Sequence, residues 1–190
     1  MRLLSALVIG ALLATSRVNG GIQQPPPAAE NPNPIVFPSV SAYALNKVRV
    51  DLPAGLAGQA NLLLLSFERE QDKDVNTWLP PAKDLQKTNP ALQVYILPIF
   101  NRENLLYRWW ENSSLRSSVS DPEWLQFTVP LYVDKPRFLR ELKIPSDHAV
   151  VVLLIDKAGK LLWRSDGPIT NEKQASLVAA LAPASPNGGH

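Results

Sequence analysis

The chain has 190 residues, 45% of them hydrophobic, a formal net charge of +2 and no cysteine. That is enough apolar material for one core domain, and it excludes disulfides, thiolate catalysis and thiolate metal sites. The first twenty residues hold two arginines, Arg2 and Arg17, and no acid, so the remainder is neutral; without a basic field or a basic run it has no general attraction for nucleic acid or anionic lipid.

The chain opens on Met1-Arg2 and the apolar run "LLSALVIGALLA", Leu3 to Ala14. That run is too short for a helix spanning ~30 Å of hydrocarbon, which needs about 20 residues, and it has the length of a secretory signal core. Small residues follow near Ser16 and Gly20. Residues 1–20 are therefore expected to be a signal peptide, with an uncleaved anchor as the alternative. The protein is expected to be exported, periplasmic or extracellular, with no stable membrane insertion after cleavage. Residues 21–40, rich in proline, read as a semi-rigid linker. Residues 41–182 read as the domain and 183–190 as a disordered tail.

Within the domain the periodicities alternate. "KVRVDL" (Lys47–Leu52) alternates polar and apolar, the pattern of a strand with one exposed face. "NLLLLSF" (Asn61–Phe67) is apolar throughout, the pattern of a central strand. Asp74 is placed to cap a helix with Val75, Trp78, Leu79 and Leu85 inward, and Pro80-Pro81 predicts a kink or restart within it. "LQVYILPIF" (Leu92–Phe100) is a second central strand. A helix is expected over most of Asn101–Val119, with Leu105, Leu106, Trp109 and Trp110 in one stripe. A short strand over Val129–Asp134 and a short helix over Pro136–Lys143 follow. "AVVVLLI" (Ala149–Ile155) is a third buried strand, "DKAG" (Asp156–Gly159) a turn, and "KLLWRS" (Lys160–Ser165) its hairpin partner. Thr170 caps a last helix with Leu177, Val178 and Leu181 inward. The order β-β-α-β-α-β-α-β-β-α predicts an α/β fold, a mixed central sheet with helices on both faces.

This order resembles the thioredoxin-like superfamily in its peroxiredoxin-type form with an extra insert. The stretch "VVVLLIDKAGKLLWRSDG" (Val150–Gly167) is similar to the strand-Asp-x-x-Gly-Lys-strand hairpin of thioredoxin-like proteins. Together with "Q..DVNTW" (Gln71–Trp78), "VYILPI" (Val94–Ile99) and "LLIDKAGKLLWRSDGPITNEK" (Leu153–Lys173), it most resembles the thioredoxin-like ATP-synthase assembly factor family and its bacterial relatives. That resemblance implies a role in assembling a membrane sector. It also marks two departures. Redox thioredoxins carry paired cysteines in the loop after the first central strand, and here that loop is "EREQDK" (Glu68–Lys73); disulfide exchange requires a thiolate, which neither Ser66 nor Thr77 can supply. The family's cis-proline position falls at Val150, where a trans peptide is expected. Pro145 lies five residues too early to take that role.

Other chemistry is sparse. His190 lies in the tail, and His148 in "PSDHA" reads as a solvated loop histidine rather than half of an Asp147–His148 acid/base pair, because adjacent residues point apart. Glu68, Glu70, Asp72 and Asp74 alternate as in a calcium loop but lack the turn glycine and terminal glutamate, and read as a charged loop. No phosphate-cradling glycine loop occurs. No catalytic, metal-binding or cofactor-binding residue is assigned, and no cofactor is expected. "NSS" at Asn112 matches a glycosylation acceptor or a polar turn. Trp78, Trp124 and Trp163 read as core. Tyr107, Arg108, Trp110 and Arg116 remain, and tryptophan and arginine are the types that anchor protein interfaces. They are the candidate surface for an unidentified protein partner. The reading is an exported, non-redox binding or assembly module. The alternatives are a cysteine-independent enzyme using Arg, Asp and Glu, which a buried carboxylate in a deep pocket would mark, or a structural envelope protein.

Overall fold

The computed structural model describes residues 34–102, 116 and 121–182. Within them a hairpin of β1 (Val40–Tyr43) and β2 (Arg49–Leu52) precedes β3 (Ala60–Ser66), α1 (Asp72–Thr88) and β4 (Leu92–Asn101). After a 3-10 turn at Pro122–Gln126 come β5 (Leu131–Val133), α2 (Lys135–Glu141), β6 (Val151–Asp156), β7 (Leu161–Asp166) and α3 (Asn171–Leu181). The five longer-range strands form one sheet in the order β5-β4-β3-β6-β7. β3 runs parallel to β4, and β4 to β5, while β6 is antiparallel to both β3 and β7. The expected mixed sheet with helices on both faces is present.

The apolar runs of β3 and β6 explain the order. Leu62, Leu63, Leu64 and Leu65 have no exposed surface, and Val151 to Ile155 almost none. Full burial stabilises each such side chain by ~1.5–3 kcal/mol, which only a strand covered on both faces can collect. Alternate residues feed two cores. Leu63, Leu65, Leu97, Leu153 and Ile155 pack with Phe37, Leu52, Phe138 and Leu142 on one face. Leu62, Leu64, Val94, Val152 and Leu154 pack with Val75, Trp78, Ala82, Trp124 and Leu177 on the other. Thus α2 covers one face, and α1 and α3 cover the second.

Several expectations are corrected. The first strand is β1, in "VSAY", which the periodicity did not mark; Val40 and Ala42 are only partly buried because this hairpin lies on the rim of one core. Phe37, within the stretch read as linker, is buried, and its N–H donates to Gly159 O at 2.8 Å. Helix α1 begins at Asp72, with Gln71 rather than Asp74 at the cap, and continues as one element through Pro80 and Pro81. The prolines remove N–H groups that would reach the carbonyls of Asn76 and Thr77, both exposed residues where water can serve instead. Val178, expected to face inward, is 46% exposed; Leu177 and Leu181 share a face four residues apart, and Val178 sits about 100° round the helix. Of the stretch Asn101–Val119 expected to be mostly helical, Asn101 instead closes β4 and Arg102 lies in a turn, Arg116 is helical, and the remainder lies outside the described residues.

Candidate functional site at the junction of β3 and α1

The loop read as the counterpart of a redox site joins the end of β3 to the start of α1. It is not an open charged loop. Arg69 to Gln71 form a 3-10 turn that runs directly into α1. Glu68, Arg69 and Glu70 face solvent, while Gln71 is 5% exposed. Its amide joins two segments. The Phe67 N–H donates to Gln71 Oε1 at 2.8 Å, and Gln71 Nε2 donates to the Asp147 carbonyl at 2.7 Å. A buried amide with both ends paired is stable in place, whereas either backbone group left unpaired would carry a desolvation cost.

A charged pair extends this arrangement. Lys135, at the start of α2, approaches Asp147 Oδ2 at 2.6 Å, and both side chains are largely covered. The same ammonium lies 5.8 Å from the centre of the Phe67 ring, within cation–π range. The Lys135 hydrogen bond holds the Asp147 carboxyl below the usual carboxylate range, with burial opposing it. His148 is 87% exposed, and its Nδ1 is 3.8 Å from Asp147 Oδ1, too far for a hydrogen bond. The expected loop histidine is observed, and the carboxylate that would orient it is committed to Lys135. Val150 is fully buried, and the peptide preceding it is trans.

Helix α1 is fixed from its other side. The Trp78 indole N–H donates to Gly167 O at 2.9 Å, and Ile169 N–H donates to Thr77 Oγ1 at 3.0 Å. Lys173 Nζ, on α3, donates to the carbonyls of Asp166 and Pro168 at 2.6 and 2.7 Å, which holds that loop against α3. Gly167 there has φ +74°, a left-handed conformation that glycine adopts without strain.

At the junction the Gln71 amide is thus spent on two backbone groups. Its central side chain does not titrate, and its two facing ionisable groups neutralise each other. Asp72, the first residue of α1, differs, since burial pushes its carboxyl up despite nearby Arg69. Among the described residues no group of three or more metal-ligating side chains is close enough to hold an ion.

Of the partner-facing residues read from sequence, Tyr107, Arg108 and Trp110 lie outside the described residues, as does Asn112. Arg116 is helical and exposed. Trp78 and Trp124 are buried and Trp163 is partly so, packing edge-on to Trp78 with ring centres 6.2 Å apart. Sequence reasoning missed Gln71, Lys135 and Asp147 as a unit. The one available signal was an uncharged glutamine inside the acidic-basic run "EREQDKD".

No protein-family model matches the chain, and no curated protein matches it in sequence. Solved structures do. A putative electron transport protein from Aquifex aeolicus VF5 aligns with TM-score 0.58 and 13% identity over 77% of this chain and 94% of that one. BsSco, a member of the Sco family of cytochrome c oxidase assembly proteins, aligns with TM-score 0.53 and 14% identity over 80% and 96%. A thiol:disulfide interchange protein from Bacteroides sp. aligns with TM-score 0.53 and 15% identity over 83% and 94%. The fold is thioredoxin-like. It is carried here by a chain without a thiol.

Proposed function

We propose that this protein is an exported, non-redox thioredoxin-like module that binds a protein partner and serves its assembly. One observation carries the reading. At the junction where the fold's redox members place cysteines, this chain sets Gln71, whose amide is spent on Phe67 and Asp147. That replaces a reactive centre with a closed, hydrogen-bonded one, and leaves recognition as the use of the scaffold. The resemblance to the ATP-synthase assembly factor family supports an assembly role, as does the description of BsSco as one of a family of oxidase assembly proteins. The apolar run Leu3–Ala14 supports export. Tyr107, Arg108, Trp110 and Arg116 are the proposed contact residues.

Two measurements test this. Purified protein is expected to reduce insulin disulfides at background rate only; turnover by material free of contaminating thioredoxin would overturn the non-redox assignment. Capture from the native envelope is expected to recover one partner with the wild-type protein and to lose it with Arg108→Ala/Trp110→Ala at an unchanged melting temperature. A large fall in melting temperature for Trp110→Ala alone would make that indole a core residue and remove it from the interface.

A further inference from the structure

Strand β7 ends on Asp166, followed by Gly167, and both polar groups of the peptide joining them are hydrogen-bonded. Its carbonyl, Asp166 O, accepts from the Lys173 ammonium at 2.6 Å, and its N–H, on Gly167, donates to Val150 O at 2.7 Å. The next carbonyl, Gly167 O, accepts from the Trp78 indole at 2.9 Å. Gly167 is buried. The Asp166 side chain is half exposed, and its Oδ1 accepts from Arg164 Nε and Nη2 at 3.2 and 3.0 Å.

The fold places a reactive pair of residues here. The turn out of β7 takes φ +74° at residue 167, which favours glycine. A Cβ there would meet only Lys173 Nζ, at 3.7 Å, so conformation rather than space selects glycine. An aspartate followed by glycine is open to attack on its own side chain, because no Cβ shields the glycine nitrogen. That nitrogen bonds to Asp166 Cγ, and its proton leaves with the carboxyl hydroxyl as water. Water then opens the cyclic imide. Opening at Cγ restores aspartate. Opening at the main-chain carbonyl carries the chain through Cβ and Cγ as isoaspartate, with no net change of mass.

The native geometry opposes the first bond. The Gly167 N–H is committed to Val150, and its peptide is pinned on the carbonyl side by Lys173. The carboxylate is drawn to Arg164, two residues back along the strand. We propose that Asp166–Gly167 is an isomerisation site that Lys173 and Arg164 keep closed in the folded protein, and that reacts when the corner between β7 and α3 opens. Isoaspartate there lengthens the backbone and shifts Gly167 off Val150 and Trp78, so each event breaks the tie between this corner and α1. This goes beyond the binding role proposed above and does not depend on it.

Peptide mapping of the intact chain tests the site. Chymotrypsin cleaves after Trp163 and Leu177, and isoaspartate changes the retention and fragmentation of the Arg164–Leu177 peptide but not its mass. After equal incubation at neutral pH, native protein is expected to form isoaspartate at Asp166 at least about tenfold more slowly than protein held in guanidinium chloride. Lys173→Met is expected to raise the native rate by about tenfold and Arg164→Gln by about threefold, neither changing the rate in guanidinium chloride. Slow exchange of the Leu153 amide reports that each variant is folded; should Lys173→Met lose it, Arg164→Gln carries the comparison. Native protein reacting as fast as the denatured chain, a denatured chain that forms no isoaspartate, or a folded variant whose native rate matches wild type overturns the proposal.

Discussion

The two ends of β6 are held by opposite kinds of hydrogen bonding. At its far end the turn Asp156–Gly159 is closed by short-range hydrogen bonds, although Phe37 N–H and the Lys157 ammonium also tie it to more distant segments. Asp156 Oδ1 accepts from Ala158 N–H at 2.9 Å and Lys160 N–H at 2.8 Å, and Gly159 N–H donates to Asp156 O at 3.0 Å. Gly159 has φ +86°, and an added Cβ would meet Pro53 Cγ at 2.6 Å. Before its near end, Asp147 is tied to Gln71, 76 residues away in sequence. The bonds that close the turn lie within five consecutive residues, whereas those at the junction join elements brought together by the sheet. Substitutions at the junction should therefore disturb more of the molecule.

The largest effect is expected at Trp78, the deepest support of α1 behind the junction. Its indole is fully buried and its N–H reaches Gly167 from 89 residues away. Trp78→Ala is expected to cost about 3–5 kcal/mol by leaving a cavity, read from urea unfolding. A loss under about 1 kcal/mol would mean that α1 is held elsewhere. Gln71→Leu keeps the volume and removes the amide. The Phe67 N–H and the Asp147 carbonyl are then both unpaired, for an expected cost of about 2–3 kcal/mol. Exchange of the Phe67 amide should accelerate in the same variant. If stability held and that amide stayed protected, Gln71 would not be the tie between the two segments.

The local side is sharpened by Asp156→Ala. It removes the acceptor of two backbone donors in a turn open to water, so about 1 kcal/mol is expected. Loss of stability larger than that of Gln71→Leu would reverse the ranking of the two ends.

This difference also accounts for what the sequence made legible. The turn was readable because Asp156 and Gly159 act within four residues of each other. The central strands were readable because Leu62–Leu65 and Val151–Ile155 are apolar at every position. Thr170 was readable as a cap, and its hydroxyl does accept from Lys173 N–H. Strand β1 was not, because Ser41 and Tyr43 face solvent and Val40 and Ala42 are only half-covered. The junction was not, because nothing adjacent to Gln71 names Asp147, and nothing adjacent to Asp147 names Lys135. A polar residue's long-range partners are set by strand order, which periodicity does not encode.

The smallest effect, and the finest test of the junction, is the pH dependence of the Lys135–Asp147 pair. The Asp147 carboxyl is held low chiefly by the Lys135 hydrogen bond, with smaller contributions from the Lys135 charge and from His148. A carboxyl whose folded value is depressed adds stability above its unfolded value, about 3.9, and loses it as pH falls through the folded one. Lys135→Met should therefore cost up to about 1 kcal/mol near pH 6, given that both groups are mostly covered but still reach solvent. The difference between wild type and variant should shrink as pH falls below about 4, because protonated Asp147 no longer needs the ammonium. Urea unfolding of both proteins at pH 6 and pH 3 gives the comparison directly. A difference that persists undiminished at pH 3 would locate Lys135's contribution in its contact with the Phe67 ring rather than in the ion pair.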